Sequence, residues 1–259
     1  MGSSSKRPQA AALALLALIA AQSSGAEGLY LHVIPSRVER GVEMDAPVLH
    51  VRLRVRQPQR LGPLDGASAR VEGDALEIAL SGNATLPGVI EARHRAASFV
   101  VDWDEPALEP LRAALVKEHG ASPSLEALRE YTGRAIANKT MARGWDLASV
   151  VARNGAGDCT EHAVLLAALA RAVGRPARVV VGVLLADPGD GVAAFGHAWA
   201  EIHDGAAWRR VDATPVADWG RVRYLPLFAL EDEGPGYAMG LAAATQALWV
   251  REIEVLETR

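Results

Sequence analysis

The chain has 259 residues, 50% of them apolar, and a formal net charge of −4. That length supports one or two domains with a sizeable core. Arginines are scattered among acids with no long basic run, which argues against a nucleic-acid partner, and a single cysteine rules out an internal disulfide.

Residues 1–26 read as a signal peptide. Lys6 and Arg7 form a positive n-region, "AAALALLALIAA" is an apolar h-region, and Ser24, Gly25 and Ala26 are the small residues a signal peptidase needs. The apolar run is too short to span a bilayer comfortably. No cysteine follows it, which argues against a lipid anchor. The expectation is export to the periplasm or medium, with no stable membrane anchor after cleavage. Loss of Lys6 and Arg7 takes the formal charge from −4 to −6.

Residues 27–105 read as an N-terminal β domain. "VLHVRLRVR" (48–56) alternates apolar and polar residues with period two, and "ALEIAL" (75–80) repeats the pattern. "YLHVI" (30–34) and "SFVV" (98–101) are further strand candidates. Pro58, Gly62-Pro63, Asp65-Gly66, Gly82-Asn83 and Pro87-Gly88 punctuate the region as turns.

The pattern changes over residues 106–232. "EPALEPLRAALVKEHG" (105–120) predicts a helix stopped by Gly120. "SPSLEALREYTGRAIANKTMARG" predicts a second, capped by Ser122 or Ser124. "NGAGDCTEHAVLLAALARAVG" (154–174) predicts a third. That helix is apolar nearly all round and so is expected to be buried. Strands "ARVVVGVLLA", "HAWAEIH" and "WRRVDAT" follow. Residues 233–259 add a short helix near 238–247 and a strand, "LWVREIEVLE", expected to close back on the N-terminal region.

Cys159 stands at the start of the third helix. The first backbone N–H groups of a helix lack internal partners, and the helix dipole places partial positive charge there. A thiolate is favoured in such a place, and the same N–H groups can bind a developing oxyanion. The plain alternative is an inert buried thiol, since free cysteine is among the most buried residue types.

A nucleophile needs a base and a group to orient it. His162 shares the helical turn with Cys159 and has little freedom to reach it, so it reads as a first-turn polar residue on a cleft rim. His197 is better placed. If Asp204-Gly205 is a two-residue hairpin turn, His203 faces Ala206, Glu201 faces Trp208, and Trp199 faces Arg210. Continued to its end, that register sets His197 opposite Asp212, with Cβ atoms roughly 4.5–5.5 Å apart. Trp199 and Trp208 then share the His197 face, as packing groups.

The stretches "GDCTEHAVLLAALARAVGRPARVVVGV", "GHAWAEI" and "VDATP" resemble the transglutaminase-like superfamily, with its papain-like core. The resemblance spans residues 108–226 and is most specific over 158–212. It implies an α+β fold: an N-terminal antiparallel β region, then a core with a central buried helix packed on an antiparallel sheet. It also implies a Cys159–His197–Asp212 triad acting on a peptide amide carbonyl through a thioacyl-enzyme, with a protein or peptide as substrate. Water resolves that intermediate in a peptidase or amidase, and an amine does so in a cross-linking transglutaminase. A non-catalytic binding module on the same fold is the alternative. Trp145 and Asn138 are candidates for the second oxyanion donor.

The chain is too short for the several β domains of animal transglutaminases. "DWDE" (102–105) and "EDE" (231–233) lack the ligand spacing of a calcium loop and read as solvated acidic loops. Cys159 and His162 alone do not make a zinc site, and "GAGD" lacks the lysine of a phosphate loop. No metal or cofactor is expected.

Overall fold

The computed structural model describes residues 33–39, 41–140, 144–187, 189, 191–215, 219–230 and 249–256. The expected signal peptide, most of "YLHVI" and the helix near 238–247 lie outside these residues. Five strands come first among the described residues: β1 (Val33–Ile34), β2 (Ser36–Val38), β3 (Val48–Val55), β4 (Asp65–Glu72) and β5 (Ala75–Thr85). Helices α1 (Glu109–His119) and α2 (Leu125–Ala135) follow, then β6 (Asn138–Lys139), α3 (Ala148–Asn154), β7 (Ala156–Gly157) and α4 (Cys159–Ala172). The described chain ends with β8 (Ala177–Asp187), β9 (Ala193–His203), β10 (Trp208–Val211), β11 (Arg221–Leu230) and β12 (Val250–Leu256).

The strands form two main sheets. One runs β2-β12-β3-β5-β4 and the other β1-β9-β8-β11, with β10 also paired to β9. The chain enters the second sheet at β1 and crosses to the first at β2. Its final strand, β12, returns to lie between β2 and β3, as the sequence pattern predicts.

The alternation in β3 decides how the first sheet sits. Leu49, Val51, Leu53 and Val55 are buried, while the intervening Arg52 and Arg54 turn outward. There Arg52 pairs with Glu77 and Glu254, Arg54 with Asp74, and Arg70 with Glu77. Such surface pairs are worth about 0–1 kcal/mol each, so the buried face holds the sheet and the ladder mainly keeps its outer face soluble. The buried face meets Val183, Leu185, Leu225 and Leu227 of the second sheet in one core.

The second sheet serves another core as well. Val179, Ala198, Ala200 and Ile202 pack with α4, which also contacts α1, α2 and α3. Nearly every residue of α4 is buried, as its all-round apolar sequence requires. Gly182 shows how tight the strand packing is: a Cβ there would strike the Leu225 carbonyl and the Trp199 ring.

Several expectations change. Residues 98–101 form bends rather than a strand, although Val100 and Val101 are fully buried. Asp65-Gly66 opens β4, with a register shift between Asp65 and Ala67, and Gly82-Asn83 lies inside β5. Cross-strand pairing outweighs the turn chemistry of those dipeptides. Helix α1 starts at Glu109, with Pro110 in its first turn, and Ser124 is the cap of α2, accepting from Ala127 N at 3.1 Å. Strand β11 and helix α3 had no clear signal in the sequence.

Candidate active site

The start of α4 is fixed by its own polar residues. Asp158 is the N-cap, and its Oδ1 accepts from the backbone N–H and the hydroxyl of Thr160, each at 2.8 Å. Glu161 completes a capping box, its Oε2 accepting from Asp158 N at 3.0 Å. Its Oε1 accepts from Asp146 N at 3.0 Å, which ties the segment before α3 to the same turn. Glu161 is fully buried and lies directly over Gly157, where a Cβ would collide with its side chain. That glycine is needed for the cap. Burial, together with the charge of Glu161, pushes the Asp158 carboxyl up to about 6 against the hydrogen bonds from Thr160. Cys159 follows as the first residue of the helix, 6% exposed.

His162 is not on a cleft rim. It is fully buried, with Nδ1 at 2.5 Å from the Asp158 carbonyl and Nε2 at 2.7 Å from Lys139 Nζ. The carbonyl only accepts and the ammonium only donates, so the ring is neutral with its proton on Nδ1. Lys139 also donates to the carbonyls of Gly133 and Ile136. Its three N–H groups therefore bind the end of α2 to the first turn of α4. Burial, and the charge of Lys139, push His162 down to about 4.

His197 lies in the middle of β9, opposite Gly182. Its Nε2 is 2.7 Å from Asp212 Oδ2. The same oxygen accepts from Tyr224 Oη at 2.8 Å, and Asp212 Oδ1 accepts from Thr214 N at 2.9 Å. Burial favours neutral imidazole, but the charges of Asp212 and Cys159, and the hydrogen bond to Asp212, overcome it and raise His197 to about 10. Asp212 is held below the usual carboxylate range, because its contacts with His197, Thr214 and Tyr224 outweigh the cost of its burial. His197 Nδ1 is buried and makes no hydrogen bond of full geometry among the described residues.

The hairpin register differs from expectation by two residues. Trp208 pairs with His203 and Val211 with Ala200, so the loop holds four residues rather than two. Asp204 closes it, accepting from Ala206 N and Ala207 N at 2.8 and 2.9 Å. Strand side chains alternate with period two, so a slip of two keeps Asp212 on the His197 face. It sits diagonal to His197, just past the end of β10, and its side chain closes the gap.

The two oxyanion candidates fare differently. Trp145 lies beside the first turn of α4, its N–H donating to Thr160 Oγ1 at 3.3 Å, and its backbone is left-handed at φ 60. For a bulky residue that conformation costs about 1–2 kcal/mol. Asn138 is exposed, and its N–H is spent on Gly155 O at 3.0 Å. Sequence reasoning missed Tyr224, Lys139 and Glu161. For Glu161 the signal was present, since Asp158 and Glu161 have capping-box spacing. It also missed the ring contacts of Trp219, whose centroid lies 6.4 Å from that of His197 and 5.3 Å from that of Phe195.

Residues 116–213 match the family model described as the transglutaminase-like superfamily, a span that contains Cys159, His197 and Asp212. Over that span the chain is similar to a transglutaminase-like core. Among solved structures it resembles a candidate cysteine protease from Cytophaga hutchinsonii, at 14% identity over 82% of this chain and 86% of that one, with a TM-score of 0.40. It also resembles the periplasmic domain of TgpA from Pseudomonas aeruginosa, at 21% identity over 65% of this chain and 70% of that one, with a TM-score of 0.41. A candidate protease from Parabacteroides distasonis matches at 16% identity over 73% of this chain and 48% of that one, with a TM-score of 0.31. No curated protein matches the chain. Among the described residues, no helix is long and apolar enough to cross a membrane.

Proposed function

We propose that the protein is an exported cysteine-dependent enzyme acting on peptide amide carbonyls, with Cys159 as nucleophile, His197 as acid and base, and Asp212 as the group that orients His197. The observation that carries this reading is the state of His197. One ring nitrogen is anchored on Asp212 at 2.7 Å, the other makes no full hydrogen bond, and the charge of Cys159 acts on the ring. The unanchored nitrogen is the one left to exchange a proton with the Cys159 sulfur.

The chemistry follows from that arrangement. The Cys159 sulfur attacks the carbonyl carbon, forming a C–S bond and an oxyanion. As the C–N bond breaks, the imidazolium gives its proton to the leaving amine, and a thioester remains. Neutral His197 then takes a proton from water or from an incoming amine, which displaces the sulfur and regenerates the thiolate–imidazolium pair. The Cys159 N–H, at the first position of α4, has no partner within the helix and serves as one oxyanion donor. Trp145, held against Thr160, is the better of the two candidates for the second. Asn138 is exposed.

Hydrolysis is the favoured outcome, with protein-glutamine cross-linking as the competing one. The test is mass spectrometry of the protein incubated with acetylated glutamine peptides, with and without a primary amine. A thioacyl adduct on Cys159, absent in Cys159→Ala, supports the reading. Cleavage without an amine adduct makes the protein a hydrolase, and an amine adduct makes it a transamidase. No adduct, together with iodoacetamide alkylation of Cys159 no faster than that of an ordinary thiol, would leave the scaffold as a binding module.

A further inference from the structure

Asp212 is reached from behind by a line of contacts that begins in the first sheet. Arg210, half-buried on β10, donates from Nη1 to Gly82 O of β5 at 3.0 Å. Its guanidinium carbon lies 4.1 Å from the centre of the Tyr224 ring on β11, and Trp199 meets the same ring edge-to-face at 5.3 Å. The Tyr224 hydroxyl donates to Asp212 Oδ2 at 2.8 Å, and that oxygen is 2.7 Å from His197 Nε2. The line therefore runs unbroken from the N-terminal β region to the imidazole. Arg210, Tyr224 and Asp212 also line a cavity of about 490 Å³, so solvent has a route to Asp212 whenever the Tyr224 ring shifts.

We propose that Arg210 is a positioning residue of this site: held by Gly82 of β5, it fixes the Tyr224 ring so that the hydroxyl stays on Asp212. The inference rests on the acyl-transfer reading and adds to it a residue that touches neither substrate nor sulfur. A cation over the face of a phenol holds the ring and draws charge from it, which makes the hydroxyl a stronger donor. A planar guanidinium can stack on a ring while its edge still donates to a carbonyl. The other charges around Asp212 are engaged elsewhere. Arg129 of α2 also acts on Asp212, but its Nε is bound to Glu126 Oε2 at 2.9 Å. Glu201 of β9 attracts Arg210 and Arg223 of β11 repels it, and Glu201 is itself bound to Arg178 at 2.7 Å. Among the described residues, Arg210 is the cation that both touches Tyr224 and acts on Asp212.

The rate of Cys159 alkylation by iodoacetamide, followed against pH in the full chain, reads the site without a substrate. The set is the parent protein, Arg210→Met, Tyr224→Phe and the double variant. Removing the cation lets Asp212 and His197 hold their protons more tightly. The acid-side fall in rate for Arg210→Met is therefore expected to move to higher pH by about half a unit or more, roughly a threefold loss on that limb. Tyr224→Phe should move the limb the same way. A charge effect that bypassed Tyr224 would add to that shift. A positioning effect works through the hydroxyl, so the double variant should shift by less than the sum of the two single shifts. Arg210→Gln replaces Arg210→Met if the latter fails to fold. An unmoved limb in the Arg210 variant, or additive shifts, would overturn the positioning role while fast Cys159 alkylation left the acyl-transfer reading in place. Alkylation of the parent protein no faster than that of an ordinary thiol would overturn both.

Discussion

Two buried histidines, His162 and His197, are both coupled to the start of α4, and the protein drives them in opposite directions. His162 is fully enclosed, accepts a hydrogen bond from Lys139 and is held neutral, at about 4. His197 is equally enclosed, faces Asp212 and Cys159, and is held charged, at about 10. Burial lowers both. The neighbour decides the outcome: an ammonium reinforces desolvation, and a carboxylate reverses it. The contrast separates a histidine that joins helices from one suited to move protons.

The comparison is broken most severely at His197. His197→Ala should lower turnover of an amide substrate by about a thousandfold or more and slow Cys159 alkylation at neutral pH. His162→Phe should retain the alkylation rate. Its cost falls on stability, about 1–3 kcal/mol by chemical denaturation, because Lys139 loses an acceptor inside the protein. If His162→Phe abolished alkylation while His197→Ala did not, the two roles would be exchanged.

Asp212→Asn is the next largest perturbation. It removes the charge that outweighs burial at His197, so His197 should titrate far below 10 and turnover should fall about a hundredfold or more. Tyr224→Phe is milder, expected to be about tenfold or less. Asp212 then loses one of the contacts that keep it ionised, so the acid-side fall in activity should move to higher pH.

Stability against pH gives the clearest sign. The folded value of His197 is raised, so its contribution is full below the unfolded value near 6.5 and is lost as pH rises to about 10. The folded value of His162 is depressed, so its contribution is full above 6.5 and is lost as pH falls to about 4. Denaturant midpoints should therefore fall on both sides of a maximum. Lys139→Met should shrink the acid-side loss, since His162 then titrates closer to its ordinary value.

Most of the scaffold was legible because its signals are local. Period-two alternation marked β3, and an all-round apolar run marked α4 as buried. Ser124 and Gly120 marked helix ends by cap chemistry. The reading failed where pairing partners decide. Asp65-Gly66 and Gly82-Asn83 look like turns until β5 lies beside β4. Residues 98–101 look like a strand, but Val100 and Val101 fill the helical core from an irregular segment. The His197–Asp212 pair was legible through a register that was off by two residues, and it stood because parity, not the exact partner, sets the face. Tyr224 was out of reach: it lies on a strand that gave no sequence signal, and only the folded sheet brings its hydroxyl to Asp212.

The most direct test is to titrate the ring resonances of His162 and His197 by NMR in the full-length protein, from about pH 3.5 to 10.5. The account predicts that His197 stays protonated until the pH approaches about 10, while His162 stays neutral until it falls to about 4. Both rings titrating together near 6.5, the value of an unperturbed imidazole, would contradict it.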